Sequence, residues 1–187
     1  MNQVIRNIKE RRSVRFFSIQ PISREDMELI IEAGNYAPTG ANLQPWRFVV
    51  IQSEEIRKEL AKNAKPVYQN YMKHADESFK QMRKSIDEML EDSIYYSAPA
   101  IVFVIGKKVL SYAYDCPMVC ENMMLAAKSL GIGSCWLGFG QMGLTDDIRA
   151  SMEIKGDEEI FGPIVFGYPA QGFPEESKRR EPVVKWL

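Results

Sequence analysis

Residues 116–140 read CPMVCENMMLAAKSLGIGSCWLGFG. Apolar side chains occupy almost every position from Cys116 to Leu130, so the pattern predicts a long helix over 116–133 with very little polar face and with glycines at its C-terminal end. A helix this apolar is buried: it is either the spine of one core or a surface shared with a second subunit, and the pattern allows both. Four glycines in the last ten residues, GIGSCWLGFG, let another group approach the backbone closely. Close helix-to-strand packing uses the same glycines. Their spacing, G-x-G-x-x-x-x-G-x-G, is not a dinucleotide fingerprint, because the helix precedes the glycines and its dipole points the wrong way to hold a pyrophosphate.

Outward from this stretch, the chain reads as alternating helices and strands. A helix over about 2–10 leads to RRSVRFF at 11–17. Ser23, with Asp26 three residues on, caps a helix whose apolar face is Met27, Leu29, Ile30, Ile31 and Ala33, ended by Gly34 and Pro38. RFVVIQ at 47–52 is β-branched and aromatic and predicts a strand, after which Ser53, Glu54 and Glu55 open another helix. Residues 65–93, rich in charge, Met and Tyr, predict a helical excursion. AIVFVI at 100–105 is apolar on both faces, as a central strand requires. A short strand near SCWLG, a helix from Thr145 and a last strand at IFGPIVFGYP follow. The tail EPVVKWL carries Val-Val and Trp-Leu, which solvent disfavours and a docked partner would cover.

With 187 residues, 45% hydrophobic and 26% charged, the chain has the composition of one well-buried globular domain. Its net charge of −1 gives no global attraction to nucleic acid, whose binders carry a basic stripe extending beyond one motif. MNQVIRNIKE lacks the apolar centre of a signal peptide, and the longest apolar run, 98–106, is too short to span a bilayer. The expectation is a cytoplasmic protein with no membrane partner. Three cysteines and one histidine build neither a disulfide framework nor a recognisable zinc site; Cys116 and Cys120, one helical turn apart, read as small buried hydrophobes.

Three polar stretches carry chemistry. In RRSVRFF, written as an extended segment, Arg11, Ser13 and Arg15 point one way and Arg12, Val14 and Phe16 the other. One face then offers two guanidinium forks around a hydroxyl, a donor set suited to phosphate; a solvated basic edge is the alternative. In APTGANLQPWRFVV, 37–50, Pro38, Thr39, Gly40 and Ala41 precede the carboxamides Asn42 and Gln44. These suit the edge of a heterocycle better than an anion, and equally a well-made helix-to-strand turn. SKRREP, 177–182, is a solvated turn by itself, or, together with RRSVR, the second half of a site for a doubly charged anion.

In their order along the chain these stretches resemble the FMN-dependent nitroreductase family: RRSVR near the N-terminus, PTGANLQPW about 25 residues later, an apolar helix running into GSCWLG, and a late Lys178-x-Arg180. The resemblance covers nearly the full chain and is weakest over 60–95. It implies an α+β fold with a central mixed, mostly antiparallel sheet flanked by helices, as one domain over 1–187. Within that domain 65–95 is a variable helical excursion and 175–187 a C-terminal arm wrapping the other copy of an intertwined homodimer. It also implies FMN at the subunit interface. Arg11, Ser13, Lys178 and Arg180 would hold its phosphate with Arg12 alongside, and Arg15 would face the N1/O2 edge, where reduction develops negative charge. Thr39 and Asn42, with Pro38 and Gln44 beside them, would meet the flavin from the other subunit. Asn70, with Lys73, would lie near the pyrimidine. The backbone of Ser134, Cys135, Trp136, Leu137 and Gly138 would pass the flavin edge.

The implied activity takes hydride from NADH or NADPH and reduces a small-molecule electron acceptor, a nitroaromatic or quinone, by a ping-pong exchange. The flavin carries the chemistry, so no acid-base dyad or catalytic side chain is needed. A flavin carrier or sensor without turnover, a reductive dehalogenase and a flavin-fragmenting enzyme share the cofactor motifs and stand as alternatives.

Overall fold

The structure, a computed structural model, describes residues 1–176 and 178–187. Its elements run α1 (Gln3–Glu10), α2 (Arg24–Asn35), β1 (Trp46–Ile51), α3 (Glu54–His74), α4 (Glu77–Met89), β2 (Ala100–Lys107), α5 (Tyr112–Ser129), β3 (Gly133–Trp136), α6 (Asp146–Ser151) and β4 (Glu158–Gly167). The local signals work as chemistry predicts: Ser23, Ser53 and Thr145 accept from the backbone N–H of Asp26, Ile56 and Ile148, each satisfying one of the donors a helix start leaves free.

Helix α5 begins a turn earlier than its apolar pattern predicts. Pro117 lies inside it, where it forgoes one internal hydrogen bond. Asp115, in the first turn, complements the positive end of the helix.

The sheet order is β1-β2-β4-β3, with every adjacent pair antiparallel. Among the described residues, parallel pairing is confined to single bridges, Ser13 to Ser134 and Ala170 to Gly172. β2 is buried on both faces. Val102 and Val104 join Met27, Ile30, Cys116, Val119 and Met123 under α2 and α5. Ile101, Phe103 and Ile105 join Leu60, Ala64, Tyr95, Leu137 and Met152 on the opposite side. The continuous apolar run of β2 follows from this two-sided cover. Burial pushes the Cys116 and Cys120 thiols up to about 12, in keeping with their packing in the core.

One face of α5 fills the core, while Leu125 and Asn122 on its outer side line a groove of about 480 Å³ with Asn7, Leu29 and Tyr36. The C-terminal Val183, Val184, Trp186 and Leu187 are exposed. None of the helices is long and apolar enough to cross a membrane among the described residues.

Candidate functional site

The segment 11–17 is extended and stitched to the sheet. Val14 N–H donates to Ser134 O at 2.9 Å, Ser18 N–H to Tyr168 O at 2.8 Å, and Ala170 N–H to Phe16 O at 3.0 Å. Val14 is buried against Gly133, where a Cβ would come within 2.7 Å of the valine. Glycine at 133 is what lets the segment lie this close. With Val14 turned into the core, alternation turns Ser13 and Arg15 together to the opposite face.

The arginines differ in what they touch. The Nε atoms of Arg11 and Arg15 are buried with no hydrogen-bond acceptor. Arg11 Nε lies 3.4 Å from Glu121, an electrostatic contact without hydrogen-bond geometry. A buried unpaired donor costs about 1–3 kcal/mol, so two on one rail mark a place where an anion or acceptor edge would be stabilised. Arg12 is committed elsewhere. It donates to Lys9 O at 2.6 Å and to Arg11 O and Glu175 O, and sits 3.7 Å from Glu176. Through these bonds Arg12 Nε and Nη1 tie down the root of the tail on which Lys178 and Arg180 stand, both exposed.

On β3 and at the residue after it, Ser134, Cys135 and Leu137 are buried while Trp136 is half exposed. Leu137 N–H donates to Pro163 O at 2.9 Å, and strand alternation directs the Cys135 N–H to β4 as well. The backbone at Trp136 and Gly138 is what remains on the outer edge for a ligand. Burial pushes the Cys135 thiol up, while Arg15, Ser13, Arg83 and Arg11 around it pull the other way. The thiol is thus a core group for which burial outweighs the positive charge in its neighbourhood.

The turn 39–44 is held by Asp115, which is buried. Its Oδ2 accepts from Thr39 Oγ1 (2.9 Å), Ser111 Oγ (2.9 Å) and Gly40 N–H (3.3 Å). Thr39 Oγ1 in turn accepts from Gln44 N–H, and Gln44 Nε2 donates to Asn42 Oδ1. Ala41, Asn42 and Gln44 all have positive φ, which non-glycine residues adopt only when held there. Pro38 is exposed beside the turn. Sequence reasoning missed Asp115, although a lone acid at the edge of a long apolar run was the available signal.

Asn70 and Lys73 are exposed on α3, and no hydrogen bond among the described residues joins them to either segment. A cleft of about 1470 Å³ between α3 and residues 87–99 is lined by Lys73 but by none of the arginines of the rail.

Within one chain the two polar segments lie at opposite ends of the sheet. Trp46 pairs with Gly106 and Gly106 with Glu159, whereas Ser134 pairs with Phe166 and Phe166 with Ala100. Glu159 and Phe166 are seven residues apart on β4, about 23 Å at strand rise.

A helix-flanked antiparallel sheet, beside whose edge strand two half-buried arginines keep Nε atoms without a hydrogen-bond acceptor, defines an α+β protein. A sequence model of the nitroreductase family matches residues 8–168, and the chain belongs to that family. An Archaeoglobus fulgidus protein, provisionally named NADH dehydrogenase/NAD(P)H nitroreductase, is 32% identical over 95% of this chain and 89% of its own length. A Bacteroides fragilis nitroreductase solved with bound FMN is 30% identical, covers 100% of this chain and 99% of its own, and superposes with a TM-score of 0.78. An iodotyrosine deiodinase bound to FMN and 3-iodo-L-tyrosine shares the fold (TM-score 0.82; 99% of each chain) at 19% identity.

Proposed function

We propose that this nitroreductase-family, FMN-binding oxidoreductase takes hydride from NADH or NADPH and passes the electrons to a nitroaromatic, quinone or similar small acceptor in a ping-pong exchange at one site. The observation that carries the reading is the pair of buried, acceptor-less Nε atoms of Arg11 and Arg15 on either side of Ser13. Four residues of extended chain separate them, about 13 Å, which fits a ligand with an anion at one end and an acceptor edge at the other.

FMN is such a ligand, and when bound it supplies the hydride and electron transfer that no side chain here can. Arg11 and Ser13, with Lys178 and Arg180 from the tail that Arg12 anchors, would bind the phosphate. Arg15 would place a fixed cation at the N1/O2 edge, where reduction develops negative charge. Trp136 and Gly138 would present main-chain donors to the flavin edge.

The turn Thr39–Gln44 is too far along its own sheet to reach that ligand, so a second copy would supply it. A homodimer with two composite sites follows. The open face of α5 and the exposed Val183, Val184, Trp186 and Leu187 supply apolar surface for the partner to cover. On this reading 1–187 is one domain, 175–187 is its arm, and the protein works in the cytoplasm.

The test is the visible spectrum of the purified protein, followed by anaerobic titration with NADH and NADPH. Bound FMN that bleaches and is reoxidised by a nitroaromatic or quinone is expected. Bound flavin that neither nucleotide bleaches would make the protein a carrier or sensor.

A further inference from the structure

Residues 92–97, DSIYYS, belong to no motif, yet they form a built support beside Arg15. The Asp92 carboxylate accepts from the backbone N–H of Ile94 (3.1 Å), Tyr95 (2.9 Å) and Ser97 (3.1 Å). Tyr96 and Ser97 are held in the left-handed region, at φ 59° and 49°. An aromatic residue keeps such a backbone only when its surroundings over-determine it, and this kind of strain gathers at functional sites.

The Tyr96 side chain is 5% exposed, and two cations meet its ring. The Arg83 guanidinium carbon lies 5.8 Å from the ring centroid and that of Arg15 lies 6.0 Å away. Arg83 uses four of its five N–H donors. It donates to Tyr68 Oη (2.9 Å), Tyr96 Oη (3.0 Å), Asp87 Oδ1 (3.3 Å) and Ser93 O, and Tyr68 Oη donates to Asp87. Burial pushes the Tyr68 hydroxyl up to about 12, so it remains a donor. Arg83 and Asp87 thus compensate one another, and Tyr96 is gripped by its hydroxyl.

Arg15 is different: it rests on the same ring with no acid paired to it and with its Nε unused. A cation–π contact can hold a guanidinium in place without neutralising it. A positioned charge intended for a ligand needs that combination.

We propose that Tyr96, tethered by Arg83 of α4, is a positioning residue that holds the Arg15 guanidinium at the flavin edge and so raises the reduction potential of bound FMN. This rests on the role given to Arg15 above. It also gives the 65–95 excursion a part in the site, because its buried arginine braces the residue that aims the cation.

The measurement is the midpoint potential of FMN bound to the full-length protein, read by dye-coupled reductive titration, together with FMN affinity. Tyr96→Leu should cost about tenfold in the preference for reduced over oxidised flavin, a fall of about 30 mV for a two-electron couple. Arg15→Ala should lower the potential at least as far, and adding Tyr96→Leu to it should produce no further fall, because the tyrosine acts only through the arginine.

If Tyr96→Leu does not accumulate as a soluble flavoprotein, phenylalanines of increasing ring fluorination at 96 keep the shape and weaken the cation–π contact. The potential should then fall stepwise. A flat series, or equal shifts from Tyr96→Leu with and without Arg15, overturns the proposal. A protein that binds no FMN, or an Arg15→Ala variant of unchanged potential, overturns the parent reading instead.

Discussion

Replacing Asp115 with asparagine tests how the 39–44 turn is built. Three donors converge on one carboxylate oxygen: the Thr39 and Ser111 hydroxyls and the Gly40 N–H. An amide oxygen of the same size accepts two hydrogen bonds at most, and the new NH₂ is itself a donor among donors. The Ser111 hydroxyl can turn its one proton to Leu110 O, but the Thr39 hydroxyl and the Gly40 N–H lose the charge assistance that roughly doubles such bonds, and leaving either unpaired costs about 1–3 kcal/mol. Thr39 and Gly40 are partly exposed, so water recovers some of this. The expected net loss is about 2–3 kcal/mol.

For a chain of this length, that corresponds to a fall in Tm of about 5–10 °C, measured by thermal unfolding of the FMN-free protein. The left-handed conformations of Ala41, Asn42 and Gln44 would relax with it. FMN affinity should therefore drop about tenfold, or 1.4 kcal/mol, although Asp115 is buried beneath the turn and offers the ligand nothing itself. An Asp115→Asn protein with unchanged Tm would show that the turn is stable without its carboxylate. Unchanged FMN affinity alongside a lowered Tm would remove the turn from the composite site.

Three further outcomes follow from named contacts. Arg11→Ala should weaken FMN binding about ten- to a hundredfold by fluorescence titration, and an unchanged affinity would sink the phosphate assignment. Glu158 is held down to about 2 by hydrogen bonds from Arg47; because its folded value lies below the ordinary 4.5, its contribution to stability is full above about pH 5 and is lost as pH falls toward 2. Urea unfolding at pH 7, 4 and 3 should show this loss, and Glu158→Gln should flatten it. Cys116, Cys120 and Cys135 are buried and shifted up by burial, so a disulfide reagent at pH 8 should find no reactive thiol until the protein is unfolded. Rapid labelling of the native protein would contradict that packing.

Some of this protein was legible residue by residue. Ser23, Ser53 and Thr145 announce helix starts because a cap and its N–H lie three residues apart, and AIVFVI announces a doubly covered strand because both faces are written into consecutive positions. The alternation that sets Arg11, Ser13 and Arg15 against Val14 is likewise local. Asp115 was less legible: it pairs with residues about 75 positions away, and no spacing reveals the match. Arg83 belongs to a stretch whose composition reads only as a helical excursion and Tyr96 lies just beyond it, yet they form a buried network.

The chain's own order of residues thus determined its elements, their caps and the faces of its strands, since each depends on neighbours within a turn or a pleat. It also determined the family, through motifs whose order along the chain can be read directly. Only the tertiary structure decided that Arg12 donates to main-chain oxygens while the Nε atoms of Arg11 and Arg15 are left without a hydrogen-bond acceptor. It likewise placed PTGANLQPW and RRSVR at opposite ends of one sheet. Both depend on strand register and on partners far away in sequence, and those are fixed by how whole elements pack, not by which residues stand side by side.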